Sequence, residues 1–167
     1  MPAAEKYVAH QAWLNTAPFK PGKKGKPTQE RREHTRMQDF YQRGVTAYLT
    51  MPDAKGSQYL IEAMHEAGSG LPGQNGRMNP LTWQEIDAWM RATGAEFEWW
   101  ETDAIYRLSR CYCNWLAKAS DPNCPAPYTD PGALTQARQS VGDGIKRSLQ
   151  RMAESQKRQK RKKAGMK

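Results

Sequence analysis

Apolar residues recur at helical spacing in several separate stretches of this chain. The strongest period is Ala104, Ile105, Leu108, Cys111, Tyr112, Trp115 and Leu116, which share one face of a helix expected over 99–119. Ser120-Asp121-Pro122 should end it, because proline disfavours helix at the residue before it. Upstream, Thr82 and Glu85 have the spacing of a capping box, Ile86, Trp89 and Met90 supply an apolar face, and Gly94 fits a left-handed C-terminal cap. That predicts a short helix from 82 to 93. Leu60, Ile61 and Met64 predict another over 57–67, with Ser57 as N-cap. Met37, Phe40, Tyr41, Val45, Tyr48 and Leu49 fall near spacings of three and four, which predicts a helix over 30–50. Thr28 is a candidate cap for it, and Met51-Pro52-Asp53 its stop.

Between these stretches the pattern breaks. Gly68, Gly70, Pro72, Gly73 and Gly76 make 68–80 a loop, and DPNCPAPYTDPG makes 120–132 another. Leu134, Val141, Ile145, Leu149 and Met152 form a thin stripe that predicts a last helix over 133–154, weakened by Gly142 and Gly144. The segment TAPFKPGKKGKPTQ holds too little apolar surface to offset chain entropy and reads as a disordered linker. Before it, Tyr7, Val8, Trp13 and Leu14 are able to dock as a short helix or to fold against a partner. No alternating strand pattern persists. The expected fold is therefore all-α: a small helical domain of three to five helices at 30–119, with disordered basic arms at 1–29 and 155–167. The short link between the helices at 82–93 and 99–119 favours a hairpin, with the helix at 30–50 covering their apolar faces.

Charge sharpens this division. The chain of 167 residues has a formal net charge of +9, but the middle is slightly acidic and the basicity sits at the ends. The tail QKRQKRKKAGMK carries Lys157, Arg158, Lys160, Arg161, Lys162 and Lys163 with no acid, so it is a candidate for non-specific phosphate contacts. A solubilising tail is the plain alternative. No aromatic residue is interleaved there, which argues against stacking on single-stranded bases. No apolar run approaches the roughly 18 residues that span a bilayer, and the first residues lack a secretory pattern. A cytoplasmic protein, neither secreted nor membrane-bound, is expected.

The residue types that carry chemistry are poorly arranged for it. Cys111 and Cys113 lie two apart on a predicted helix, so they point about 200° from each other and cannot readily share an ion. Cys124, His10, His34 and His65 complete no ligand set. An odd number of cysteines suits reduced thiols. Glu96, Glu98, Glu101 and Asp103 flank Trp99 and Trp100, where a carboxyl pKa can rise, but an acidic first turn is also what a helix dipole favours. The glycine loop has neither the following GK[ST] nor the preceding strand of a phosphate cradle. No enzyme activity, metal or cofactor is expected.

The segment LTWQEIDAWMRATGAEFEWWETDAIYRLSRCYCNWL, residues 81–116, resembles the helical motif of tail assembly chaperones of long-tailed phages. The residues that carry the resemblance are Leu81-Thr82, Glu85-Ile86, Trp89, Thr93-Gly94, Trp100-Glu101, Ile105, Leu108, Arg110 and Tyr112. Trp99 and Ser109 stand where the family often has Pro and Asp. The resemblance implies a protein that keeps the tape measure protein soluble while tail tube subunits assemble around it, and that leaves before the virion is complete. An amphipathic helical partner with surplus aromatics suits a helical client. Trp89, Trp99, Trp100, Tyr106 and Trp115 are the candidate partner-binding residues. Trp99, Trp100 and Tyr106 are the better of these, since adjacent tryptophans cannot easily face one core and Tyr106 lies beside the main stripe. Two other readings are a small basic nucleic-acid-binding phage protein and a structural virion subunit.

Overall fold

The computed structural model describes residues 2–22, 27–132 and 134–135. Contacts divide the chain into Met1–Thr129 and Asp130–Lys167. Of the second unit, the described positions Pro131, Gly132, Leu134 and Thr135 are helical, and Asp130 Oδ1 accepts the Gly132 N–H at 2.9 Å at their start. The helix expected over 133–154 and the basic tail lie outside the described residues, apart from the helical positions Leu134 and Thr135.

The first unit opens with helix α1, Ala3–Asn15. Its sequence holds four alanines and no internal Gly or Pro, which suits a helix. Val8, Ala9, His10, Ala12, Trp13 and Leu14 are all buried, so α1 is a core element rather than part of a disordered arm. It lacks an amphipathic stripe because a centrally buried helix needs none. Thr16 leaves the helix in extended conformation, and its hydroxyl donates back to Ala12 O at 2.7 Å.

The expected linker forms a hairpin. Strand β1, Phe19–Pro21, pairs antiparallel with β2, Pro27–Arg31, with Phe19 opposite Arg31 and Pro21 opposite Pro27. The Arg32 N–H donates to Pro18 O at 2.8 Å, and the Phe19 N–H to Ser120 O at 2.9 Å. The all-α expectation is thus corrected: the fold mixes helices with two small antiparallel sheets. Proline-bounded strands this short show no legible alternation.

The helix expected over 30–50 is also corrected. Helix α2 covers only Arg36–Gln42. Its start is a complete capping box: Thr35 Oγ1 accepts the Gln38 N–H at 3.3 Å and Gln38 Oε1 accepts the Thr35 N–H at 2.9 Å. The chain turns at Gly44, whose φ of 66° needs no Cβ penalty, and a short 3-10 turn follows at Thr46–Tyr48. The aromatic residues of the expected stripe still meet, through tertiary packing. Phe40 stacks on Tyr48 at 5.1 Å and on Trp13 at 5.6 Å, forming a second core with Leu14 and Ala119.

Helices α3 (Gln58–Glu66), α4 (Trp83–Thr93) and α5 (Trp99–Ala119) stand where the periodicity places them. Thr82 Oγ1 accepts the Glu85 N–H at 3.3 Å, and Gly94 closes α4 at φ 70°. Ser57 sits at the N-cap position of α3 but its side chain makes no capping bond. Within 68–80, β3 (Leu71–Pro72) pairs antiparallel with β4 (Met78–Asn79). The main core joins Val8 of α1, Leu60, Ile61 and Met64 of α3, Leu81, Ile86 of α4, and Ile105 and Leu108 of α5. Helix α5 is its spine and packs chiefly on α1 and α3; α4 lies against it more lightly, and α2 packs on α1. The cover expected from 30–50 therefore comes from α1 and α3. No helix among the described residues is long and apolar enough to cross a membrane.

Candidate partner-binding surface

The first turn of α5 carries two tryptophans that the core does not use. Trp99 is 80 % exposed and Trp100 49 %. They follow each other in sequence, so they diverge by about 100° around the helix and only one side of the pair can approach the core. The turn beneath them is fixed by polar contacts: Glu101 Oε2 accepts the Glu98 N–H at 2.9 Å, and Glu101 Oε1 accepts the Tyr59 hydroxyl at 2.7 Å. That hydroxyl bond holds the Tyr59 pKa above its ordinary value. Asp103 lies 3.8 Å from Arg107, so Glu101 and Asp103 both have structural partners.

Tyr106 is half-buried and stacks on Trp83 of α4, with ring centroids 4.6 Å apart and planes 20° from parallel. The Arg110 guanidinium lies 5.7 Å from the Tyr106 ring. Trp83 is itself 46 % exposed and was not singled out by sequence, although it lies outside the buried face of α4. Trp89 packs against Phe97 at 5.8 Å at the other end of α4 and against the core. Trp115 is half-buried under Lys118, whose ammonium is 5.3 Å from its ring. Trp99, Trp100 and Trp83 therefore offer open aromatic surface, while Trp89, Tyr106 and Trp115 have partners within the fold. Lys157, Arg158, Lys160, Arg161, Lys162 and Lys163 lie outside the described residues.

The thiols are turned apart and held protonated. Cys111 Sγ faces Glu5 O at 3.5 Å, whereas Cys113 Sγ faces Ser69 O at 3.9 Å. Burial, followed by the Glu5 charge, pushes Cys111 up to about 11. Burial also raises Cys113 and Cys124. Among the described residues, no three His, Cys, Asp or Glu side chains converge as a metal-binding group.

One polar chain was not foreseen. His65 Nε2 lies 2.8 Å from Gln11 Oε1, which can only accept, so the Nε2–H donates. The Ser69 hydroxyl then donates to Nδ1 at 2.7 Å. Ser69 has a positive φ of 61°, and its carbonyl accepts the Ser109 hydroxyl at 2.8 Å. Ser109 Oγ in turn accepts the Leu81 N–H at 2.8 Å. This chain ties α1, α3, the link from α3 to β3, the approach to α4 and α5 together through one line of hydrogen bonds. Burial lowers the His65 pKa, which favours the neutral tautomer that this chain requires.

No family model, curated protein or solved structure matches this chain.

Proposed function

We propose that this protein is a tail assembly chaperone of a long-tailed phage, acting in the host cytoplasm by binding the tape measure protein and keeping it soluble while tail tube subunits assemble. The observation that carries the reading is the exposed tryptophan pair Trp99–Trp100 at the start of α5, with Trp83 on the neighbouring helix. The segment that resembles the chaperone motif, 81–116, coincides with the α4–α5 unit that presents these rings. Exposed tryptophans on a helical scaffold suit an amphipathic helical client, whose apolar stripe buries them. The role is binding, without catalysis.

The test is co-expression with a candidate tape measure protein, followed by recovery of soluble client at low and high salt. The parent chain should recover client in both. Replacing both Trp99 and Trp100 with Ala should lower recovery at least tenfold, because a central aromatic contact contributes about 2 kcal/mol or more. Failure of the parent to recover client, with nucleic acid co-purifying and washing off in salt, refutes the chaperone reading and favours a nucleic-acid-binding role for the basic ends.

A further inference from the structure

We propose that a cleft at the opposite end of α5 binds a phosphate group. The cleft has a volume of about 380 Å³ and lies between the base of the β1–β2 hairpin, the turn before β4 and the last turns of α5. Its wall includes Phe19, Arg31, Arg77, Met78, Cys113 and Leu116. Arg31 and Arg77 are among its lining residues, and among the described residues no Asp or Glu is. The size falls in the range of small-ligand pockets.

Arg31 is already positioned. Its Nη1 donates to Ala17 O at 3.1 Å and approaches Ser120 Oγ at 3.5 Å, and its guanidinium lies 4.9 Å from the Phe19 ring. These contacts hold the group at the cleft wall while leaving most of its five donors uncommitted. Pre-set geometry lowers the ordering cost of binding. Arg77 is complementary. Among the described residues its side chain makes no hydrogen bond, and neither it nor Arg31 has a carboxylate within 4.0 Å. The acid next to Arg31, Glu30, is taken by Lys20 at 3.0 Å. The Arg77 backbone is held by its carbonyl, which accepts the Gly73 N–H at 2.7 Å, and by its N–H, which donates to Gln74 O at 3.3 Å.

Arg31 and Arg77 are both exposed, and two cations at one cleft with no carboxylate neighbour among the described residues suit an anion arriving from solvent. A phosphate ester carries up to two negative charges and takes the forked donors of Arg in pairs. The rest of the wall is mixed: Met78, Leu116, Ala117 and the buried Cys113 are apolar, while Asn15, Thr16 and Ser120 add polar groups. The apolar part suits the organic moiety of the ester. The wall is also stiff behind Cys113, since a Cβ placed on Gly70 would lie 2.7 Å from Cys113 Sγ and 2.7 Å from Asn79 O. The phosphate can come from a small ester or from a nucleic-acid strand.

The experiment titrates the full chain by calorimetry with inorganic phosphate, adenosine monophosphate and a short oligothymidylate. The variants are Arg77→Gln and, as a control on α4, Arg91→Gln. Among the described residues the Arg77 side chain makes no hydrogen bond or ion pair, so an unchanged melting temperature is expected and is measured alongside. Binding of adenosine monophosphate by the parent should weaken about tenfold in Arg77→Gln, equivalent to about 1.4 kcal/mol, and be unchanged in Arg91→Gln. Comparable affinity for the mononucleotide and the oligonucleotide assigns the site to small esters. Much tighter oligonucleotide binding that still falls in Arg77→Gln assigns it to a strand. No binding of any of the three ligands at millimolar concentration overturns the proposal. So does oligonucleotide binding that Arg77→Gln leaves unchanged, because the basic ends then account for it. Neither result depends on whether the tryptophan surface binds a client.

Discussion

Replacing Arg36 with Met should be among the most damaging single changes in the fold. Arg36 is 6 % exposed, and its guanidinium gathers the ends of two helices. Nη1 donates to Ala119 O at 2.6 Å, Nη2 to Asp121 O at 2.8 Å, and Nη1 also approaches Trp13 O at 3.4 Å. The group lies 4.9 Å from the Trp13 ring. Carbonyls at a helix C-terminus have no partner within the helix, and a cation there also meets the negative end of the dipole. Burial lowers the Arg36 pKa from its ordinary value, yet an arginine remains protonated at any pH of interest. Each short charged hydrogen bond contributes about 1.5–3 kcal/mol and the stacking about 1 kcal/mol. Burying the charge costs part of that back. The expected net loss on Arg36→Met is about 3 kcal/mol, which for a unit of this size lowers Tm by roughly 10 °C. Arg36→Lys should recover less than half, since one ammonium cannot span both short contacts. The control is Arg32→Met. Arg32 reaches Asp39 at 3.4 Å on a partly exposed surface, and its loss should cost no more than about 1 kcal/mol. Urea unfolding followed by tryptophan fluorescence measures all three. A value for Arg36→Met within about 0.5 kcal/mol of the parent would refute the clamp, because changes that small are typical of surface sites.

The hydrogen-bond line through Ser109 gives a second test. Ser109→Ala leaves the Leu81 N–H without its hydroxyl acceptor and takes the hydroxyl donor from Ser69 O, so stability to urea should fall by about 2–3 kcal/mol; an effect below about 0.5 kcal/mol would mean that water replaces the hydroxyl. His10 gives a third. Its ring is fully buried, Nε2–H donates to Tyr48 O at 2.8 Å, and Nδ1 has no partner among the described residues. Burial lowers its pKa from 6.5, outweighing the bond to Tyr48, so the folded state binds this proton less readily than the unfolded chain. Stability should therefore be intact above pH 6.5 and fall as the pH drops through and below it, by up to about 1.4 kcal/mol per pH unit from this residue. His10→Phe should flatten the acid limb, and His65, whose pKa burial also lowers, should keep part of it. An unchanged acid limb in His10→Phe sinks this account.

The parts of the fold legible in sequence were those that local chemistry decides. The boundaries of α4 and α5 follow from Thr82, Gly94 and the apolar stripe from Ala104 to Leu116, because caps and periodicity act within a few residues. The helix expected over 30–50 failed for a related reason. Thr35 and Gln38 are a capping box inside that stretch and Gly44 is a C-terminal signal, and both outrank a stripe of aromatics that tertiary packing gathers from separate turns. Helix α1 was hidden because burial on all sides leaves no periodic contrast. The β1–β2 hairpin was hidden because its strands are short and bounded by proline. At the candidate surface, adjacency alone pointed to Trp99 and Trp100. Trp83 and the stacking of Tyr106 on it needed the packing of α4 on α5.

The tryptophan surface and the arginine cleft are separated along one rigid element. Trp99 opens α5, and the cleft uses Cys113, Leu116, Ala117 and Ser120 at its far end. At about 1.5 Å per residue, Trp99 and Leu116 lie roughly 25 Å apart along the axis. That is well beyond the distance at which substitutions usually interact, about 10 Å, and several times the screening length of about 8 Å at physiological salt. Occupation of the cleft by phosphate therefore has no direct electrostatic route to the tryptophans, and the two surfaces can be filled together. Client recovery should be the same in Arg77→Gln as in the parent, and phosphate binding the same in the Trp99→Ala, Trp100→Ala double variant. A shared loss would mean that α5 shifts as a body against α1 and α3 when either end is filled. The hydrogen-bond line from Gln11 through His65, Ser69 and Ser109 would then be the contact to break next, since it joins those three helices at the middle of α5.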